Sequence, residues 1–180
     1  MNLPRALKPR AVAILAVLAL APQLPSTALG KSSDRSQPMT LDAGESDCNQ
    51  AQANSRCIFS GDVEIVQGTL RITAARAEVQ MRGGEVDQVI LTGKQATMKQ
   101  DMDDGTTMNA RADRIVYEPK KELLTLTGNY QVESPRGSNA GQRMVYNMGS
   151  GQMQSGGDGT RVRTVIQPRT QAAPAGDGDN

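Results

Sequence analysis

The run FSGDVEIVQGTLRITAARAEVQ, Phe59 to Gln80, places an apolar residue on nearly every second position. Val63 and Ile65, Leu70 and Ile72, and Ala77 and Val79 are interleaved with Glu64, Arg71, Thr73, Glu78 and Gln80. Successive side chains of a strand point to opposite faces, so this alternation specifies β-strands with one buried face. The material for that face is unusual. The chain contains one Phe, three Tyr and no Trp, but nine Met. A closed β core normally carries several large aromatics, each burying about 150–250 Å². Flexible thioethers instead suit surfaces that accommodate variable apolar partners.

Strand signals continue along the chain, punctuated by Gly61, Gly68, Gly83-Gly84, Gly93, Asp104-Gly105, Gly128, Gly137, Gly149 and Gly151. This rhythm predicts an all-β fold of antiparallel strands, a sandwich, barrel or roll. AARAEVQM is rich in Ala, yet its glycine borders and two-residue apolar spacing favour a strand over a helix. The rhythm is also a repeat. Phe59-Ser60-Gly61, Leu91-Thr92-Gly93 and Leu126-Thr127-Gly128 share one pattern, answered by AARAEV, ADRIVY and GQRMVY. Such self-similarity predicts stacked units of short strands around one long interior. Taken by alternation, that interior is Met39, Leu41, Phe59, Val63, Ile65, Leu70, Ile72, Val79, Met98, Ile115, Tyr117, Leu124, Leu126, Tyr130, Val132, Met144 and Tyr146. The set is compatible with a filled core and with an open apolar cleft for acyl chains.

Both ends differ from this middle. Arg5, Lys8 and Arg10, the apolar run AVAILAVLALA and then PQLPSTALG have the order of a cleavable export signal. Residues 1–30 are read as that signal, with cleavage after Gly30 and Ala28 as the second candidate. The apolar run is well short of the ~20 residues that span a bilayer. Residues 31–37 read as a disordered start, 38–167 as the folded domain, and 168–180 as a disordered tail rich in Pro, Gly, Ala and Asp. Loss of the three leader cations takes the formal charge from +1 to −2, and no basic run suggests a nucleic-acid partner. Export fits Cys48 and Cys57, expected to close a small loop as a disulfide.

Catalytic chemistry is hard to place on this chain. It has no His, the commonest general base, and no GxSxG, GxxxxGK[ST] or GxGxxG pattern. DMDDG, Asp101 to Gly105, fails as a calcium loop because the glycine falls at the fifth position and Ala112 stands at the twelfth. The methionines lack the tight clustering, often with His, of a copper site. The expectation is a non-enzyme without cofactor or metal.

The run FSGDVEIVQGTLRITAARAEV, then LTGKQATMKQ, ARADRIVYEPKKELLTLTGNYQV, GQRMVYNMGSGQMQ and the closing TRVRTVIQP resemble the OstA-like family over about residues 37–168. The resemblance implies an elongated, V-shaped antiparallel β-jellyroll, open at both ends, whose interior holds the acyl chains of lipid A. It implies a periplasmic lipopolysaccharide-binding transport protein, not an enzyme. Copies would join head to tail, bridging LptC at the inner membrane and LptD at the outer membrane in outer-membrane assembly. Pro38–Asp42 and Thr160–Gln167 are the expected docking edges. Arg76, Arg114 and Arg143, equivalent in the three repeats, are expected to be solvated outward-facing positions, with a place near the groove mouth against lipid phosphates as the alternative. The Cys48–Cys57 pair departs from the family pattern. Rival readings are a periplasmic scaffold with a filled core and no ligand, and an LptC-like member.

Overall fold

The computed structural model describes residues 30–49 and 54–168. The expected leader, apart from Gly30, and all but the first residue of the expected C-terminal tail lie outside the described residues. Ten strands form one open antiparallel sheet: β1 (Met39–Asp42), β2 (Glu45–Asn49), β3 (Arg56–Gln67), β4 (Leu70–Arg82), β5 (Glu85–Asp101), β6 (Thr107–Glu118), β7 (Leu123–Ser134), β8 (Gly137–Asn147), β9 (Met153–Ser155) and β10 (Arg163–Ile166). The long strands β3 to β8 follow one another as a meander, with β1 and β2 on the outer edge of β3 and β9 and β10 on the outer edge of β8. No α-helix occurs among the described residues. The all-β jellyroll is as expected.

The long strands share one line of bends, and β4 and β5 carry a second register shift at Gln80/Met81. Register shifts fall at Ser60/Val63, Thr73/Arg76, Thr92/Ala96, Arg111/Arg114 and Thr127/Tyr130, in a continuous line across the sheet. Extra residues in one strand of a pair kink it and increase its twist. A column of such bulges folds the whole sheet into a V. One arm carries the strand halves around residues 63–74, 96–112 and 130–141. The other carries those around 56–60, 76–92, 114–127 and 143–147.

The sequence repeats therefore have a different meaning from stacked units. The glycine of each hydrophobe–hydroxyl–Gly copy lies in the bend. Gly61 and Gly128 adopt φ of 78° and 79°, and the residues after them, Asp62 and Asn129, are also left-handed at 49° and 46°. A Cβ on Gly128 would stand 2.5 Å from Asp113 Oδ2. The small residues opening the answering copies, Ala74, Ala112 and Gly141, lie in the same column. A Cβ on Gly141 would stand 3.0 Å from the Tyr130 ring. The repeat is one bend written three times.

The core lies between the arms. Val63, Ile65, Leu70, Ile72, Met98 and Val132 come from one arm, and Val79, Ile115, Tyr117, Leu124, Leu126, Met144 and Tyr146 from the other. Tyr130 is buried beside the bend, and Met39, Leu41 and Phe59 pack at the margin of the same cluster.

Residues 31–37 differ from the expected disordered start. Ser32–Ser36 form a 3-10 turn and Asp34 is buried. The turn holds because its carboxylate finds donors on the sheet, as described below.

Candidate functional site

The interior is a continuous apolar surface, and all 17 positions expected to line it face it or pack at its margin. Alternation missed Ala74, Val89, Leu91, Ala96, Ala110 and Ala112, and three thioethers, Met102, Met108 and Met148. The alanines carry weak hydrophobic signals, and the alternation changes phase at each bend. Side chains fill this space in the structure: Ile65, Ile72, Leu91, Ile115 and Leu124 have no exposed surface. At the far edge, a cleft of about 230 Å³ runs from Met108 and Val132 to Thr164, Val165 and Ile166. Interior residues thus reach the surface beside β10.

The mouth of the V, where the strand turns of the two arms meet, is chemically unlike the interior. Among the described residues, the buried polar or charged side chains are Asp34, Gln67 and Gln100, at 3%, 9% and 0% exposure. All three lie at the mouth. Asp34 accepts hydrogen bonds from the Thr69 amide (2.9 Å), Thr69 Oγ1 (2.6 Å) and Gln100 Nε2 (3.3 Å). Gly68, at φ 60°, is required there, because a Cβ would overlap the Asp34 carboxylate. Gln67 Oε1 accepts from the Tyr117 hydroxyl of the opposite arm (2.8 Å), and Gln67 Nε2 donates to the Gln37 carbonyl (3.2 Å). Burial, and secondarily the Glu122 carboxylate, pushes the Tyr117 phenol up to about 12. Tyr117 therefore stays a protonated donor at neutral pH. Burial also raises Tyr146, whose hydroxyl accepts from the Gly30 amide (3.1 Å).

The edges carry the expected short strands. β1 pairs with β3 from Met39↔Gln67 to Asp42↔Glu64, and β10 pairs with β8 from Arg163↔Ala140 to Ile166↔Gly137. β10 is exposed along its length, and Ile166 is 82% exposed. Cys48 and Cys57 are register partners of β2 and β3 and form a disulfide. Residues 50–53 of the loop they close lie outside the described residues.

Arg76, Arg114 and Arg143 are exposed, in line with the outward-facing reading and not the phosphate alternative, and stand beside the bend, away from the mouth. They belong to one cross-strand row, Ser60–Arg76–Thr92–Arg114–Thr127–Arg143. A residue flanking the kink sits at the closed side of the V and points outward.

Residues 42–152 match the family described as "LptA/(LptD N-terminal domain) LPS transport protein". The chain belongs to this family. It is 31% identical over 159 residues to the lipopolysaccharide export system protein LptA of Escherichia coli strain K12, covering 86% of this chain and 83% of that one. It is 26% identical over 147 residues to LptA of Haemophilus influenzae, covering 79% and 84%. The fold matches the crystal structure of LptH, the LptA homologous periplasmic component of the conserved lipopolysaccharide transport device from Pseudomonas aeruginosa. That match has a TM-score of 0.69 at 23% identity and covers 76% of this chain and 99% of LptH. The family is one of lipopolysaccharide transport proteins, not of enzymes. No helix among the described residues is long and apolar enough to cross a membrane.

Proposed function

We propose that this LptA-family chain is a periplasmic carrier that holds the acyl chains of lipopolysaccharide between the arms of its V. The observation that carries the reading is the continuous, mostly aliphatic and thioether cluster running between the arms from the N-terminal edge to the C-terminal edge. Each acyl methylene buried there would contribute roughly 0.8 kcal/mol, so several chains would supply ample affinity. The sites of contact are the interior residues set out above, from Ile65 and Ile72 on one arm to Leu126 and Met144 on the other. Energy for transport would come from elsewhere, since no catalytic arrangement is invoked.

The same reading makes the two open edges docking surfaces. Unpaired strand edges are normally an aggregation hazard. Here β1 of one copy would add to β10 of the next, extending sheet and interior together by strand addition. A chain of copies would run from LptC at the inner membrane to LptD at the outer membrane.

A second reading, a ligand-free scaffold, is favoured by one observation: the interior side chains fill the space between the arms. The discriminating experiment is lipopolysaccharide binding to the purified protein, with competition by intact and deacylated lipopolysaccharide. The carrier reading expects saturable binding that intact lipid displaces and deacylated sugar does not. No saturable binding would leave the scaffold, and equal competition by the deacylated form would put the site outside the interior.

A further inference from the structure

The segment Lys31–Gln37, which follows the expected cleavage point, is bonded to both arms. Toward one arm, the Lys31 amide donates to the Asp101 carbonyl (2.9 Å), the Ser32 amide to Asp103 Oδ1 (3.0 Å), and Asp34 accepts from Thr69 and Gln100. Toward the other, Arg35 Nε pairs with Glu122 Oε1 (2.8 Å) and its Nη1 reaches the Met148 carbonyl (3.5 Å). The segment thus spans the mouth and ties the tips of the V together.

Its chemistry is that of a releasable closure. Apart from the Tyr117–Gln67 hydrogen bond at the mouth, packing between the arms is apolar and would be replaced in kind by acyl chains. The strap is held by polar groups that water can also satisfy once exposed, so opening it costs far less than breaking the bonds in isolation. Gln100 Oε1 has no hydrogen-bond partner although it is fully buried. The closed mouth therefore already holds one unsatisfied group.

We infer that residues 31–37 are a latch across the groove mouth, with Asp34 and Arg35 fastening it to opposite arms, and that lipid loads only after it lifts. The inference rests on the carrier reading. If the loading-competent state is the latched-open minority, apparent affinity is reduced by that minority's fraction, and weakening the latch removes the reduction. Hydrogen bonds to a charged group are among the stronger ones in a protein. Loss of Asp34's three should raise the open fraction about tenfold or more.

The test uses the full mature protein as wild type, Asp34→Ala and Arg35→Ala, with fluorescently labelled lipopolysaccharide and circular dichroism as a check on the fold. Arg35→Ala acts on the opposite arm and leaves the buried Asp34 network in place, so the test survives if Asp34→Ala folds poorly. Both variants are expected to load about tenfold faster than wild type, with a correspondingly lower apparent Kd. Equal rates and affinities in all folded proteins would overturn the latch while leaving the carrier reading intact. If none of the three binds lipid, the carrier reading falls and the latch with it. Slower loading in the variants would also overturn the latch, recasting the strap as part of the lipid site.

Discussion

The bend and the mouth of the V are built by opposite means. At the bend, backbone does the work: left-handed Gly61-Asp62 and Gly128-Asn129, and small residues wherever a side chain would collide. At the mouth, side chains do it, through Asp34, Gln67, Tyr117 and Arg35. Backbone geometry cannot be exchanged for water, whereas a hydrogen bond can. The difference makes the bend a fixed corner and the mouth the place where the V can open.

Gly128→Val should break this comparison most sharply. It puts a β-branched residue at φ 79° against Asp113 and is expected to cost about 3 kcal/mol or more, read from the denaturant midpoint. Gly105→Ala serves as its control: φ is 78°, but nothing lies within 4 Å, so a loss of only about 1 kcal/mol is expected. A Gly128→Val protein as stable as wild type would remove the bend's special status.

Next in size is the edge staple, which belongs to neither region. Replacing Cys48 and Cys57 together by Ser should cost about 2–3 kcal/mol and leave lipid loading unchanged. A change in loading would extend the opening device to the N-terminal edge.

At the mouth, Tyr117→Phe leaves Gln67 Oε1 without its donor and should cost about 1–2 kcal/mol. The same contact has a pH signature. The phenol is raised in the folded protein from 10.0 to about 12, so the protonated form is the one the fold stabilises. That contribution is complete below pH 10 and is lost as pH rises toward 12. Stability of the wild type should fall across this window more steeply than that of Tyr117→Phe. Parallel curves would show that the phenol is not tied to the mouth.

The smallest effect is expected far from both regions. Arg71→Ala removes an exposed ion pair to Glu64 and should change stability by less than about 1 kcal/mol. A larger loss would mean that outer-face charges contribute to the V after all.

Much of this architecture was legible in the sequence, and the parts that were not share a cause. Alternation identified the strands and their inner faces because period two survives along each straight half-strand. It hid the bend, because the inner face shifts phase from Ala74 to Ala77, from Leu91 to Ala96 and from Ala112 to Ile115. Those phase breaks were present in the sequence but looked like continued alternation among small residues. Glycines at 61, 93 and 128 read as ordinary turns, although they sit inside strands.

The strap was illegible in another way. KSSDRSQ has the composition of a disordered end, and nothing local distinguishes Asp34 from Asp42 or Asp47. Its partners Thr69 and Gln100 lie 35 and 66 residues away, so only the folded V brings them together. Even the scarcity of aromatics gains sense at this level. Tyr117 and Tyr146 bring hydroxyls to the mouth and Tyr130 packs at the bend, which leaves the span between them to aliphatic side chains and thioethers.

The central claim is that lipid lies between the arms. Its most direct test places a photo-crosslinking amino acid at Phe59 or Leu41, which face the interior at its margin, or at Thr97 or Arg111, which face outward on the sheet. Irradiation in the presence of lipopolysaccharide should give lipid adducts from the first pair and none from the second. Adducts from Thr97 and Arg111 equal to those from Phe59 and Leu41 would contradict it.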